Sequence, residues 1–249
     1  MEDVDVSVPV HPITRTLALA LAGLALASVA GAVEPPTLDW VLDYNGPDDG
    51  DDRVADTASR GDFFYLTGHV EADHSIAWVT AKYATDGTVA WVRLFTGAPG
   101  ANRPDQARAL AVDDDGHVYV TGWSTAATGA IDATTIKYSP DGEVVWERRQ
   151  GSTGGNAQAA DIMLGPDGGV YVSGAAWVDG GFDGLLVKYD RDGNLLWSRT
   201  RDGGGDEWDS AVHLAAHPSG DVVMGGYTEV AALDAAWWVL RYTSTGDFV

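Results

Sequence analysis

The chain contains no cysteine, so no disulfide can brace it and its stability must come from packing. Lysine is almost missing as well, at three residues, while acidic side chains number 37 and the formal net charge is −22. Phosphate backbones are bound by Lys and Arg that displace counterions, so nucleic acid is excluded as a partner. Long apolar runs are absent with one exception, the 14 small and apolar residues Leu17 to Ala30. A membrane-spanning helix needs roughly 18 or more, so no span is expected. Placed between Arg15 and Ala30-Gly31-Ala32, this run reads as a signal peptide over residues 1–32, cleaved after Ala32, although Glu2, Asp3 and Asp5 give it an acidic start where a positive one is usual. The expected location is secreted, periplasmic or cell surface. After the leader no apolar stripe recurs at 3.6-residue spacing, which leaves helix without a place.

What the chain does contain is a period. Trp40, Trp91, Trp146 and Trp197 return at nearly even intervals, and three of them close one phrase: KYATDGTVAW from Lys82, KYSPDGEVVW from Lys137 and KYDRDGNLLW from Lys188. A fourth copy, RYTSTGDFV from Arg241, stops where the next Trp is due. A sustained period near fifty residues marks a repeat array rather than separate domains. The units run 40–90, 91–145, 146–196 and 197–249, behind a linker at 33–39.

The second unit shows the strands most clearly. ARALAVD from Ala107 alternates, Asp115-Gly116 turns, HVYVTG returns, TTIKY from Thr134 follows a longer loop, and Asp141-Gly142 leads into EVVWERR. Each unit thus predicts four antiparallel strands. A sheet this small cannot cover its own faces, and twisted sheets stacked radially give an all-β fold, a β-propeller of four-stranded antiparallel blades with four repeats present. The recurring Trp is then a wedge between blades, whose burial contributes roughly 4–6 kcal/mol before entropic costs at about 25 cal/mol per Å².

DGHVYVTGW with TTIKYSPDGEVVW, and DGGVYVSGA with LLVKYDRDGNLLW, resemble the bacterial SBBP-type (seven-bladed beta-propeller) repeat, and the resemblance covers residues 40 to 249. Copies one and four are looser, with Arg60-Gly61 in the turn slot and Met224-Gly225 for Val-Thr. The resemblance implies a secreted or envelope propeller and carries over no catalytic residue. Either the array continues beyond Val249, or the WVLDY strand from Trp40 completes the last unit and closes a four-bladed ring.

Candidate chemistry is sparse. No histidine recurs at a repeat position, and no catalytic residue, metal ligand or cofactor is assigned. The acidic runs Asp48, Asp49, Asp51, Asp52 and Asp202, Asp206, Glu207, Asp209 read as solvated turns in preference to calcium sites, because neither has ligands at alternate positions ending in Glu. Lys82, Lys137, Lys188 and Arg241 are expected to pair with Asp51, Asp105 and Asp209. Arg60-Gly61-Asp62 occupies a plain turn slot. Ligand binding is assigned to the loop after the repeated glycine, where His69, Trp123, Ala175 and Tyr227 differ while their surroundings repeat; His69, Trp123 and Tyr227 are the candidates, for a glycan or protein partner. Trp123, Trp78, Trp177, Trp237 and Trp238 have a second reading as packing for outer strands. The function expected is a non-catalytic binding platform. The alternatives are a quinoprotein-dehydrogenase-like enzyme, whose tryptophan-docking repeats the DGxxxW phrases resemble, and an envelope assembly factor.

Overall fold

A computed structural model describes residues 46, 50–72, 75–98, 105–152, 155–203, 208–231 and 234–249. The leader, the linker and the Trp40 strand lie outside the described residues. What is described is strand and turn, in four antiparallel meanders. Blade I holds β1 (Arg53–Arg60), β2 (Phe63–Ala72), β3 (Ser75–Ala84) and β4 (Val89–Phe95). Blade II holds β5 (Gln106–Val112), β6 (Val118–Thr125), β7 (Ile131–Tyr138) and β8 (Val144–Gln150). Blade III holds β9 (Ala157–Leu164), β10 (Val170–Val178), β11 (Gly181–Tyr189) and β12 (Leu195–Arg201). Blade IV has three strands among the described residues, β13 (Asp209–Ala216), β14 (Val222–Ala231) and β15 (Asp234–Tyr242). The fold is a β-propeller architecture, with the first strands β1, β5, β9 and β13 packed in succession.

The core lies between blades, because each sheet is too thin to have one. Tyr65, Trp78 and Trp91 of blade I meet Leu110, Val120 and Tyr138 of blade II. Tyr119 and Trp146 meet Ile162, Val172 and Tyr189 across the next seam, and Tyr171 and Leu186 meet Met224 and Tyr242 across the third.

Each first strand carries a bulge that breaks the simple alternation expected of ARALAVD. The ladder slips between Ala107 and Ala109, so Arg108 turns outward between two buried alanines. The same slip occurs at Val54/Asp56 and Ala211/His213, and in blade III between Ser173 and Gly174. It explains the repeated glycine. A Cβ at Gly68, Gly122, Gly174 or Gly226 would overlap the carbonyl oxygen of Arg53, Gln106, Gln158 or Ser210. The hairpins also differ from a two-residue turn: Ser139 N–H bonds Glu143 C=O and Gly142 N–H bonds Ser139 C=O, enclosing three residues with Gly142 at φ +85°.

Candidate functional site

At the hairpin end of the blades, one arrangement is built three times. Lys82 Nζ and Trp91 Nε1 both donate to the Pro140 carbonyl, at 2.9 and 3.0 Å, while Arg93 Nε donates to Gly142 at 2.8 Å. Lys137, Trp146 and Arg148 grip Arg191 and Gly193 in the same way, at 3.0, 3.0 and 2.5 Å. Lys188, Trp197 and Arg199 grip Ser244 and Gly246 at 2.6, 3.1 and 2.8 Å. Each of the three seams between the described blades is therefore closed by a Lys-Trp-Arg clamp on the next blade's turn. The expected wedge role holds for Trp91, Trp146 and Trp197, and each indole face lies against the turn glycine it closes over.

The lysine partners differ from expectation. None of the lysines reaches Asp51, Asp105 or Asp209; besides the turn carbonyls, Lys188 meets Asp167 at 2.5 Å and Arg241 meets Asp221. Lys82, which has no such acid among the described residues, lies 4.1 Å over the Phe63 ring. Burial alone would raise the Asp167 carboxyl, but bonds from Lys188, Gly169 N–H and Tyr171 hydroxyl outweigh it and hold the group below the usual range. Asp113 is lowered in the same way, with burial opposed by His117 N–H and Tyr119 hydroxyl. These groups are structural and largely saturated.

The opposite end is wired by aspartates. In blade I, Asp52 accepts Gly46 N–H at 2.6 Å and Glu71 N–H at 3.1 Å; in blade II, Asp105 accepts Gly97 N–H at 2.5 Å and Thr125 N–H at 2.7 Å. Each carboxylate thus ties an incoming loop to its blade. The position is Asp52, one residue later than the Asp51 singled out in the sequence. Blade III has Ala157 there, and the neighbouring Asn156 instead takes Ile131 N–H of blade II at 3.0 Å. Blade IV has Asp209, which accepts Gly203 N–H.

His69, Trp123 and Tyr227 stand in β2, β6 and β14, not in a loop, because the second and third strands run on past the repeated glycine. Two of them share a seam. Trp78, the ladder partner of His69, donates its Nε1 to the Trp123 carbonyl at 3.1 Å, and the guanidinium of Arg108 lies 5.4 Å over the Trp123 ring. Burial lowers the pKa of the His69 imidazole, and Arg53 and Arg108 add to the effect against the opposing charges of Asp51 and Asp52. A groove of about 570 Å³ opens beside His69, with Asp52, Arg53, Tyr65 and Val79 in its walls. Tyr227 stands apart in blade IV, where its ladder partners are Ser210 and Trp237. Trp78 is fully buried, as its packing reading requires, whereas Trp237 is 82% exposed. Sequence reasoning missed Arg108, which only the bulge turns outward.

Residues 90–127, from the outer strand of blade I through β5 and β6, match the family model described as the SBBP beta-propeller repeat. The SBBP stretch spans a seam, beginning at the clamp residues Trp91 and Arg93 and ending past the bulge glycine Gly122. No curated protein matches the chain. Among solved structures, Drosophila Plexin A in complex with Semaphorin 1b is similar at TM-score 0.47 and 13% identity, over 78% of this chain and 38% of that one. A thermostable family-43 glycoside hydrolase is similar at TM-score 0.47 and 13% identity, over 83% and 74%. The family-43 endo-arabinanase from Bacillus licheniformis is similar at 0.40 and 17% identity, over 78% and 74%.

Proposed function

We propose that this SBBP repeat protein is an exported, non-catalytic binding platform whose ligand, a glycan or a protein segment, docks along the His69–Arg108–Trp123 seam. The observation that carries the reading is the half-buried Trp123 indole under the Arg108 guanidinium, with the His69 imidazole on the facing blade, presented by β6, β5 and β2. Such groups lose little freedom on binding, and an indole face stacks equally on a sugar ring or on an apolar side chain. The reading of residues 1–32 as a signal peptide supports export. The test is a glycan array and a protein capture with the chain lacking residues 1–32, each repeated with Trp123→Ala and His69→Ala. Loss of about 1–3 kcal/mol of affinity on truncating the indole supports the seam; a ligand bound equally by both variants overturns it.

A further inference from the structure

We propose that Asp183, Asp202, Asp209 and Thr228, at the corner between blades III and IV, form a binding site for a divalent cation of the calcium class. The reasoning starts from the capping aspartates. Asp52 and Asp105 each take two backbone N–H groups, the second from the residue three places after the bulge glycine: Glu71 after Gly68, and Thr125 after Gly122. In blade IV that residue is Glu229, and its N–H goes instead to the Trp208 carbonyl at 3.0 Å. Among the described residues Asp209 accepts only the Gly203 N–H and turns a carboxylate oxygen toward its neighbours. One oxygen each from Asp183, Asp202 and Asp209 lie within 4.8 Å of one another. They arrive from β11, from just past β12, and from the start of β13.

A second observation is independent of the acids. Thr228 faces Asp209 across the β13/β14 ladder, is only 8% exposed, and its Oγ1 is buried without a hydrogen-bond partner among the described residues. A Cβ at Gly203 would overlap that hydroxyl and come within 2.5 and 2.7 Å of the two Asp209 oxygens, so hydroxyl and carboxylate face one point. Buried hydroxyls are rarely left unmet. Four oxygen donors with no nitrogen or sulfur suit a hard cation. Calcium accepts six to eight oxygens in flexible geometry, whereas magnesium demands a near-ideal octahedron and keeps several of its waters, so carboxylates and a hydroxyl gathered from separate strands suit the larger ion.

The electrostatics agree. Burial raises Asp183, and the charges of Asp202, Asp209 and Asp179 raise it further. Burial and Asp202 raise Asp209, with the Gly203 N–H and Arg201 opposing. At neutral pH these carboxylates repel one another, which a divalent ion would reverse. Phe182 and Trp208, each next in sequence to a ligand, stack at 4.1 Å beside the site and provide an optical reporter.

The experiment uses terbium(III), an oxygen-seeking ion of calcium-like size, excited through the indoles, with thermal unfolding alongside. Expected are sensitised emission displaced by calcium at a concentration at least about tenfold lower than by magnesium, and a calcium-dependent rise in Tm. Asp202→Asn, at an exposed position, weakens calcium about tenfold or more, and Thr228→Val weakens it less. Asp183→Asn in chelator raises Tm by removing repulsion, yet abolishes the calcium response; no purely structural role predicts that reversal. Emission unchanged in both aspartate variants, or a Tm indifferent to millimolar calcium, overturns the site.

Discussion

At the hairpin end of the blades, Lys, Trp and Arg make the same three hydrogen bonds at every seam, whereas at the opposite end the capping position reads Asp52, Asp105, Ala157 and Asp209, with more than one wiring. The difference teaches where the array is constrained. One end fixes the rotation from blade to blade, so its residues recur as a phrase. The other end is held by whichever cap suffices, which frees particular blades to carry His69, Arg108 and Trp123 at one seam and three converging carboxylates at another.

The largest expected contrast sets a clamp indole against a displayed one. Trp146 is 6% exposed, packs against Tyr119 and Tyr189, and donates to Arg191. Its replacement by Ala removes that packing and leaves the seam open, costing about 3–5 kcal/mol in denaturant unfolding. Trp237→Ala, at 82% exposure, stays within about 0.5 kcal/mol. Equal losses would erase the distinction between the two ends.

A smaller contrast separates backbone conformation from the clamp. Gly193 and Gly220 both adopt positive φ, +80° and +89°, but a Cβ at Gly193 meets the Trp146 ring at 2.8 Å while one at Gly220 meets nothing within 4 Å. Gly220→Ala therefore costs only the left-handed backbone term, about 1–2 kcal/mol. Gly193→Ala adds displacement of the indole, and its unfolding midpoint should fall further. Similar midpoints would mean that the turn glycines are chosen for φ alone.

Much of this was legible in the chain. The period, the strand-turn-strand phrase and the wedge tryptophans follow from residues at fixed offsets, because each clamp reaches the corresponding turn one unit later. The partners of the lysines were not. Lys137 is level with Tyr119 in the ladder and Asp105 lies beside Thr125, six residues along the strand and roughly 20 Å away. Recurrence of the basic residue in four units and of the acid in three placed both in one pattern without showing that they occupy opposite ends of the blade. Arg108 was hidden for a related reason, since alternation assigns it a face only if no bulge intervenes. The release of Asp209 depends on which carbonyl one backbone N–H chooses, and no residue type encodes that.

The smallest effect tests the two ends by the sign of their response to acid. Asp167, at the clamp end, is held below the unfolded carboxylate value by Lys188, Tyr171 and Gly169. Its stabilisation is complete above the unfolded value near pH 4 and is lost as pH falls through the lower folded one. Asp183, at the other end, is raised by burial and by Asp202, Asp209 and Asp179, so the folded state holds its proton more tightly than the unfolded chain does. Stability from this group therefore increases as pH drops from neutral through the raised value, and levels off once the unfolded carboxylate is also protonated. In chelator, Asp167→Asn should lower Tm at pH 7 and flatten the decline below pH 4, whereas Asp183→Asn should raise Tm at pH 7 by a margin that shrinks toward pH 4. If both variants shift Tm in the same direction across that range, the carboxylates at the two ends share one environment, and the contrast between a saturated end and a charged, receptive one fails.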